Sequence, residues 1–430
     1  MALVGAVTLG LTVACGSAAP TGTPVPPAAP SPAAAGASTP TPGELATTDP
    51  TPGGPAPQQA RSKVEPDPDF RDALREARFS SRGWQTDFSL HTVDYGEIFA
   101  GCPGRDCIPP IYNPAFEPVA EVNEWLAPLE PVIALEVAGV AKAYPLQILT
   151  RHEIVNDEIA GVPVAVTFCP LCNSAIVFER RLNGVVYNFG VSGNLRNSDL
   201  IMWDWQTESW WQQLTGKAIV GALAGERLTF VPAQLVAWET YAEAYPDTEV
   251  LSRPTGLGRR YGTNPYVGYD RLDQEPFLFS GETDARLQPM ERVAAVSIDG
   301  SDAAFPFRIL AEERVVSYNL GGQDIVVFYK PGARSALDAS VIASAREVGA
   351  TGVFDPVVDG TKLTFAFASD GDAGGRVVDE ETGSTWSILG EAVAGPLEGT
   401  KLERLVHQDH FWFAWAAFKP DTVVYRGADG

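Results

Sequence analysis

Histidine, methionine and cysteine are scarce, at four, three and five residues in a chain of 430. Any metal or nucleophilic site must therefore be drawn from a handful of positions. Basic side chains are also short in supply: 31 Lys and Arg face 54 Asp and Glu, a formal net charge of −23. That balance excludes nucleic acid as a partner, because a phosphate backbone is held by clustered Lys and Arg. It equally argues against electrostatic docking on anionic lipid. No phosphate-cradling or dinucleotide glycine loop is present, so no nucleotide cofactor is expected, and no G-x-S-x-G elbow marks a hydrolase. What is present is 45% hydrophobic and 20% charged, enough apolar material for real cores.

The chain opens with MALVGAVTLGLTVAC, apolar but too short to span a bilayer. Residues 1–15 read as a secretory signal ending in a lipobox, with Cys15 as the lipidation site. Residues 16–62 carry Pro, Ala, Gly and Thr with almost no bulky side chain, and read as a disordered tether. Residues 16–60 alone hold twelve prolines and, fully extended, reach roughly 140 Å. The expected location is outside the cytoplasm, lipid-anchored to the cell membrane or secreted, where disulfides persist.

The body repeats itself. Residues 126–168 align on 287–329 at a constant offset of 161 without a gap. Leu126, Pro128, Gly139, Pro145, Val155 and Gly161 each meet their own residue type. A second block, Gly216 to Trp238, aligns on Gly390 to Trp412 at offset 174. Two copies of one domain in a pseudo-two-fold relation are expected: 63–270, with an N-terminal extension, and 271–430. The fold class is α+β, β-dominated and mostly antiparallel. PVIALEVAGVAKAYPL predicts strand, glycine turn, strand. AIVFERRLNGVVYNFGV predicts a hairpin at Asn183-Gly184. AQLVAWETYAEAY predicts one short helix. The copies differ where TFCPLCN stands in the first. His152 meets Glu313, Cys169 meets Lys330, and the second copy gains an insert, ARSALDASVIASAREVGA, which looks helical. The second copy thus lacks His152, Cys169 and Cys172 together while keeping the framework, as a working set dispensable for folding would.

Three readings compete for Cys169 and Cys172. A thioredoxin-like dithiol needs a helix N-terminus, whereas alternation after Cys172 predicts a strand. A metal knuckle fits strand–CPLCN–strand, with proline stiffening the turn and Asn173 tolerating positive φ. His152 is then the natural third ligand, with Met202, Asp199, His91, a C-terminal histidine or solvent as fourth. Such a soft set suits copper or zinc ahead of iron. The third reading is a Cys169–Cys172 disulfide. Cys102 and Cys107, in GCPGRDCIPPIYNP, read as a loop disulfide, with a four-cysteine metal site as competitor. Asn197, Ser198 and Asp199 are candidate pocket residues or Asx-capped turn positions. Trp211 and Trp386 read as core. His407 and His410 have a spacing of one helical turn.

AYPLQILTRHEIVND, VPVAVTFCPLCNSAIVF, FGVSGNLRNSDLIMWDWQTESWW and GCPGRDCIPPIYNP together resemble a bacterial and archaeal family, domain of unknown function 3179. The resemblance implies exported or membrane-tethered proteins in which the HEIVND histidine and the CPLC pair recur, here His152, Cys169 and Cys172. Asn173, Cys102 and Cys107 stand where glycine is common, which favours a private Cys102–Cys107 disulfide.

The expectation is a membrane-tethered extracytoplasmic protein, partnered by a membrane through its lipid and by a metal or redox partner. Its first copy carries a Cys-Cys-His transition-metal or thiol redox centre. The alternative is a non-catalytic binding or scaffold lipoprotein with structural disulfides.

Overall fold

The computed structural model describes residues 63–368 and 375–428; Cys15 and the tether at 16–62 lie outside them. Strands dominate, in mostly antiparallel sheets with a few short helices.

Residues 131–251 form three sheet portions. Pro131–Val137 and Val140–Pro145 turn at Ala138-Gly139, both at positive φ, and pair between Ala233–Ala237 and Glu249–Leu251. Ile154–Ile159, Val162–Cys169 and Ser174–Glu179 form a meander. Phe189–Arg196, Asp199–Asp204, Trp210–Gln212 and Lys217–Val220 form a second one. Residues 292–424 follow the same order. Arg292–Ile298 and Ser301–Pro306 pair between His407–Phe411 and Val423–Val424. Val315–Leu320, Gln323–Lys330 and Ala350–Phe354 form the meander. Phe365–Ala368, Arg376–Asp379, Thr385–Trp386 and Ala392–Ala394 complete the set. Both halves place one parallel pair at the same point, Glu249–Leu251 on Val140–Pro145 and Val423–Val424 on Ser301–Pro306.

Fine detail recurs too. The Asp204 carboxylate accepts from Thr207 N–H and from Trp211 Nε1 at 2.7 and 2.9 Å. Asp379 accepts from Thr382 N–H and Trp386 Nε1 at 2.6 and 2.9 Å. Ser209 and Ser384 each accept the backbone N–H of a leucine, Leu223 and Leu397, at 3.0 Å. Trp211 and Trp386 are core residues, pinned by these acids.

The halves pack reciprocally. Ala233–Ala237 lies against Ala350–Phe354, and His407–Phe411 lies against Ser174–Glu179. One apolar core joins Val166 and Phe168 to Ala295 and Trp412, and another joins Val132 and Trp238 to Phe328 and Phe354. Each half therefore completes the other's burial.

Several local expectations are corrected. AQLVAWETYAEAY is half strand: Ala233–Ala237 pairs with Pro131–Val137, and only Trp238–Ala244 is helical. Pairing partners override the helical spacing of its apolar residues. The hairpin at Asn183-Gly184 is only two residues long on each side, Arg181–Leu182 with Val185–Val186. His407 and His410 sit on a strand, not a helix, so a spacing of three puts them on opposite faces. The insert in the second half is not helical beyond the single turn Ile342–Ser344. It runs over the connecting segment instead: Ile342 N–H donates to Gly262 O, Asn264 N–H to Ser340 O, and Gly268 N–H to Asp338 O. Hydrogen bonds to that segment satisfy the backbone a helix would have satisfied.

Replacing Asp204 with alanine should leave the fully buried Trp211 indole N–H and the half-buried Thr207 amide unpaired. A loss of roughly 3 kcal/mol or more is expected in urea denaturation, with a similar loss for Asp379→Ala.

Candidate metal centre

Val162–Cys169 delivers Cys169 at its last position, and the chain reverses through the single turn Pro170–Cys172. Asn173 takes φ +53° and donates its backbone N–H to Pro170 O, so Ser174 returns opposite Cys169. Pro170 and Asn173 thus fold CPLCN into a tight hairpin loop that holds both thiols on one side. A second turn meets it. Asn197 and Ser198, both at positive φ, reverse the chain between Phe189–Arg196 and Asp199–Asp204. The Cys169 Sγ lies 3.8 Å from Ser198 O.

One ligand atom each from Cys169, Cys172 and Asp199 lies within 4.8 Å of the others. All three residues are buried, and both thiols are free. Asp199 Oδ2 accepts from Gln212 Nε2 at 2.6 Å and Leu214 N–H at 2.9 Å, whereas its buried Oδ1 has no hydrogen-bond partner among the described residues. Burial pushes Asp199 up to about 7. Burial, with the Asp199 charge, pushes the neighbouring Glu153 up to about 8. Burial also raises Cys169, and raises Cys172 further, where Cys169 and Asp199 add to it. The groups that perturb these four acids are one another and hydrogen-bond donors, not a basic side chain. A buried set of acids with no counter-charge is the electrostatic complement of a cation.

His152 is not part of this set. It is buried, and both ring nitrogens are engaged: Nδ1 faces Pro109 O at 2.6 Å, and Nε2 faces the Tyr261 hydroxyl at 2.7 Å. A carbonyl only accepts, so Nδ1 carries the proton. Burial lowers the His152 pKa, so the neutral ring accepts the Tyr261 O–H at Nε2. The Tyr261 hydroxyl also meets Thr255 Oγ1 at 2.6 Å. His152 thereby ties the loop before Ile111 to the segment connecting the halves. Of the other ligand candidates, Met202 packs in the apolar core that includes both cysteines. His91 bonds the Asp67 carboxylate and Val93 O elsewhere. His407 and His410 are buried, which lowers them to about 4 and about 3. Ser198 Oγ donates to Phe277 O, and Asn197 occupies the turn, half-buried. Cys102 is bonded to Cys107, apart from the free thiols.

Sequence reasoning missed Glu153, although it stands in HEIVND and takes φ +59°, a backbone conformation costly for a residue with a side chain. It also missed Tyr266 and Tyr269, which pack on the same core from the connecting segment and bear no motif.

In metal-free protein, stability should fall with rising pH. Asp199 and Glu153 hold protons in the native state that the unfolded chain has released, so stability present below their ordinary values of 3.8 and 4.5 is lost as pH passes about 7 to 8. Thermal melting with chelator should give a lower Tm at pH 8 than at pH 5.5. Asp199→Asn should flatten the slope.

No curated protein and no solved structure matches the chain. A family model described as a protein of unknown function, DUF3179, matches residues 105–422, which span the cysteine loop, Asp199 and both halves. The chain belongs to that family.

Proposed function

We propose that this protein is an extracytoplasmic metalloprotein. Its first half holds one thiophilic transition-metal ion on Cys169, Cys172 and Asp199. The observation that carries this reading is the convergence of two free thiols on a carboxylate whose Oδ1 is buried and unpartnered. Zinc fits this donor set best. Replacing imidazole or thioether by carboxylate hardens the site and moves it away from copper(I). Three protein ligands leave one position of a tetrahedral ion for water or a bound group. Glu153, coupled electrostatically to Asp199 and Cys169, is the adjacent carboxylate left unused. His152 then serves as a positioning residue for the covering segment.

A thiol redox centre is the second reading, supported by the two unbonded cysteines. Burial and raised thiol pKa values oppose it, since the thiolate is the reactive form. The free thiols also weigh against cysteines that merely clip a loop.

The two halves are read as copies of one ancestral unit in a pseudo-two-fold relation. The matched element order, the repeated Asp–Thr–Ser–Trp networks and the reciprocal packing support this. A lipid on Cys15 would anchor the protein to a membrane, with the tether setting its reach. Labelling with a radioactive fatty acid should be lost in Cys15→Ser.

Metal analysis of protein purified without chelator tests the centre. About one equivalent of zinc is expected. Cys169→Ser and Asp199→Asn should each remove most of it, and His152→Ala should retain it. Absence of metal, or metal kept in Cys169→Ser, would overturn the reading. Loss in His152→Ala with Asp199→Asn unaffected would restore the Cys-Cys-His set.

A further inference from the structure

The second half is not an empty copy. Gln323–Lys330 takes the place that Val162–Cys169 takes in the first half, so Lys330 stands where Cys169 stands. After Lys330 the chain does not make the tight cysteine turn. It leaves to run over the connecting segment and returns only at Ala350. Leu200, buried in the first half, has Gly375 as its counterpart. Volume filled in the first half by Leu171, Cys172 and Leu200 is thus unfilled in the second. A cavity of about 690 Å³ lies there, open to one side. Its walls include Tyr329, Lys330, Phe367, Arg376, Trp386 and Leu389, and the first half contributes Thr240 and Glu243 from Trp238–Ala244. Protein interiors pack without voids of this size, and pockets of a few hundred Å³ at the seam between two units are ordinary ligand sites.

The charge at this place is inverted between the halves. The first half gathers Cys169, Glu153 and Asp199. The counterpart of Cys169 is Lys330, and the counterpart of Glu153 is Arg314, which repeats its positive φ at +67°. Lys330 Nζ donates to the Thr240 hydroxyl at 3.1 Å and pairs with no carboxylate among the described residues. Arg314 lies against the rings of Tyr329 and Phe367 at 5.5 and 5.7 Å, and its Nη1 is buried with no hydrogen-bond partner among the described residues. The cavity therefore has aromatic walls with cationic groups at and behind them. Glu243, Glu391 and Glu398 stand among the lining residues and select against ligands with several negative charges.

We propose that this cavity binds a small organic anion with a flat apolar body and a single carboxylate or sulfonate group held by Lys330. The aromatic walls take the body by stacking and burial. The ammonium supplies one charge-assisted hydrogen bond. This site is independent of the metal centre, and the two would make the protein a binder of two ligands.

Titration of the full chain with anilinonaphthalene sulfonate, followed by fluorescence, tests the site, with uncharged phenylnaphthylamine as comparison. The sulfonate should saturate at one equivalent, and the neutral probe should bind at least about tenfold more weakly. Lys330→Gln should bring the two probes level, and Lys330→Arg should restore the difference. Melting of each variant checks folding, and the two-probe comparison on unaltered protein needs no variant. No saturable binding, equal affinity for both probes, or sulfonate binding unchanged in folded Lys330→Gln would each overturn the proposal.

Discussion

Burying acids without a counter-charge is the constraint around which the first half is arranged. Cys169, Cys172, Asp199 and Glu153 lie together inside a close-packed core, where burial raises the pKa of each and the Asp199 charge adds to the rise at Glu153 and at both thiols. A fold does not tolerate such a set idly, since apolar residues of equal size would be cheaper. The surrounding backbone is committed to holding it. Four side-chain-bearing residues at or beside the cluster, Glu153, Asn173, Asn197 and Ser198, adopt positive φ. Strain of this kind persists where packing over-determines it, and it gathers at functional sites.

The cover over that cluster is the segment connecting the halves, held in place by the second half. Residues 262–270 are pinned by the insert through Gly262, Asn264 and Gly268. Asp270 joins in through ion pairs with Arg292 and Arg346 at 2.8 and 2.9 Å. Tyr261 then reaches His152, while Tyr266 and Tyr269 press on the core below. Where the second half lacks its own cysteine turn, it spends the extra chain closing the first half's site. The same departure of the chain after Lys330 leaves the cavity beside it.

Much of this was legible in the sequence. The turn at Cys169–Asn173, with a strand on each side and positive φ at Asn173, follows from proline, asparagine and alternation alone. The β-dominated antiparallel fold follows from turn spacing. The proposed ligand set was only half legible. His152 is absent from the second half together with the cysteines, yet its ring nitrogens bond Pro109 O and the Tyr261 hydroxyl, apart from the group formed by Cys169, Cys172 and Asp199. Asp199 could be offered as one candidate among several, since a carboxylate joins two thiols only through a sheet crossing that spacing does not reveal. The insert misled because its alanines favour helix in isolation, whereas its backbone hydrogen bonds are divided between turns and bridges within the insert and contacts to a distant segment at Gly262, Asn264 and Gly268. Leu235 and Val236 misled for a related reason: cross-strand partners, not periodicity, decide their conformation.

The ligand set is tested most directly by X-ray absorption at the zinc edge on protein carrying one equivalent of metal. Two sulfur scatterers at about 2.3 Å with oxygen at about 2.0 Å, and no imidazole multiple scattering, are expected. A spectrum with imidazole features, or one without sulfur in the inner sphere, would contradict a centre built on Cys169, Cys172 and Asp199.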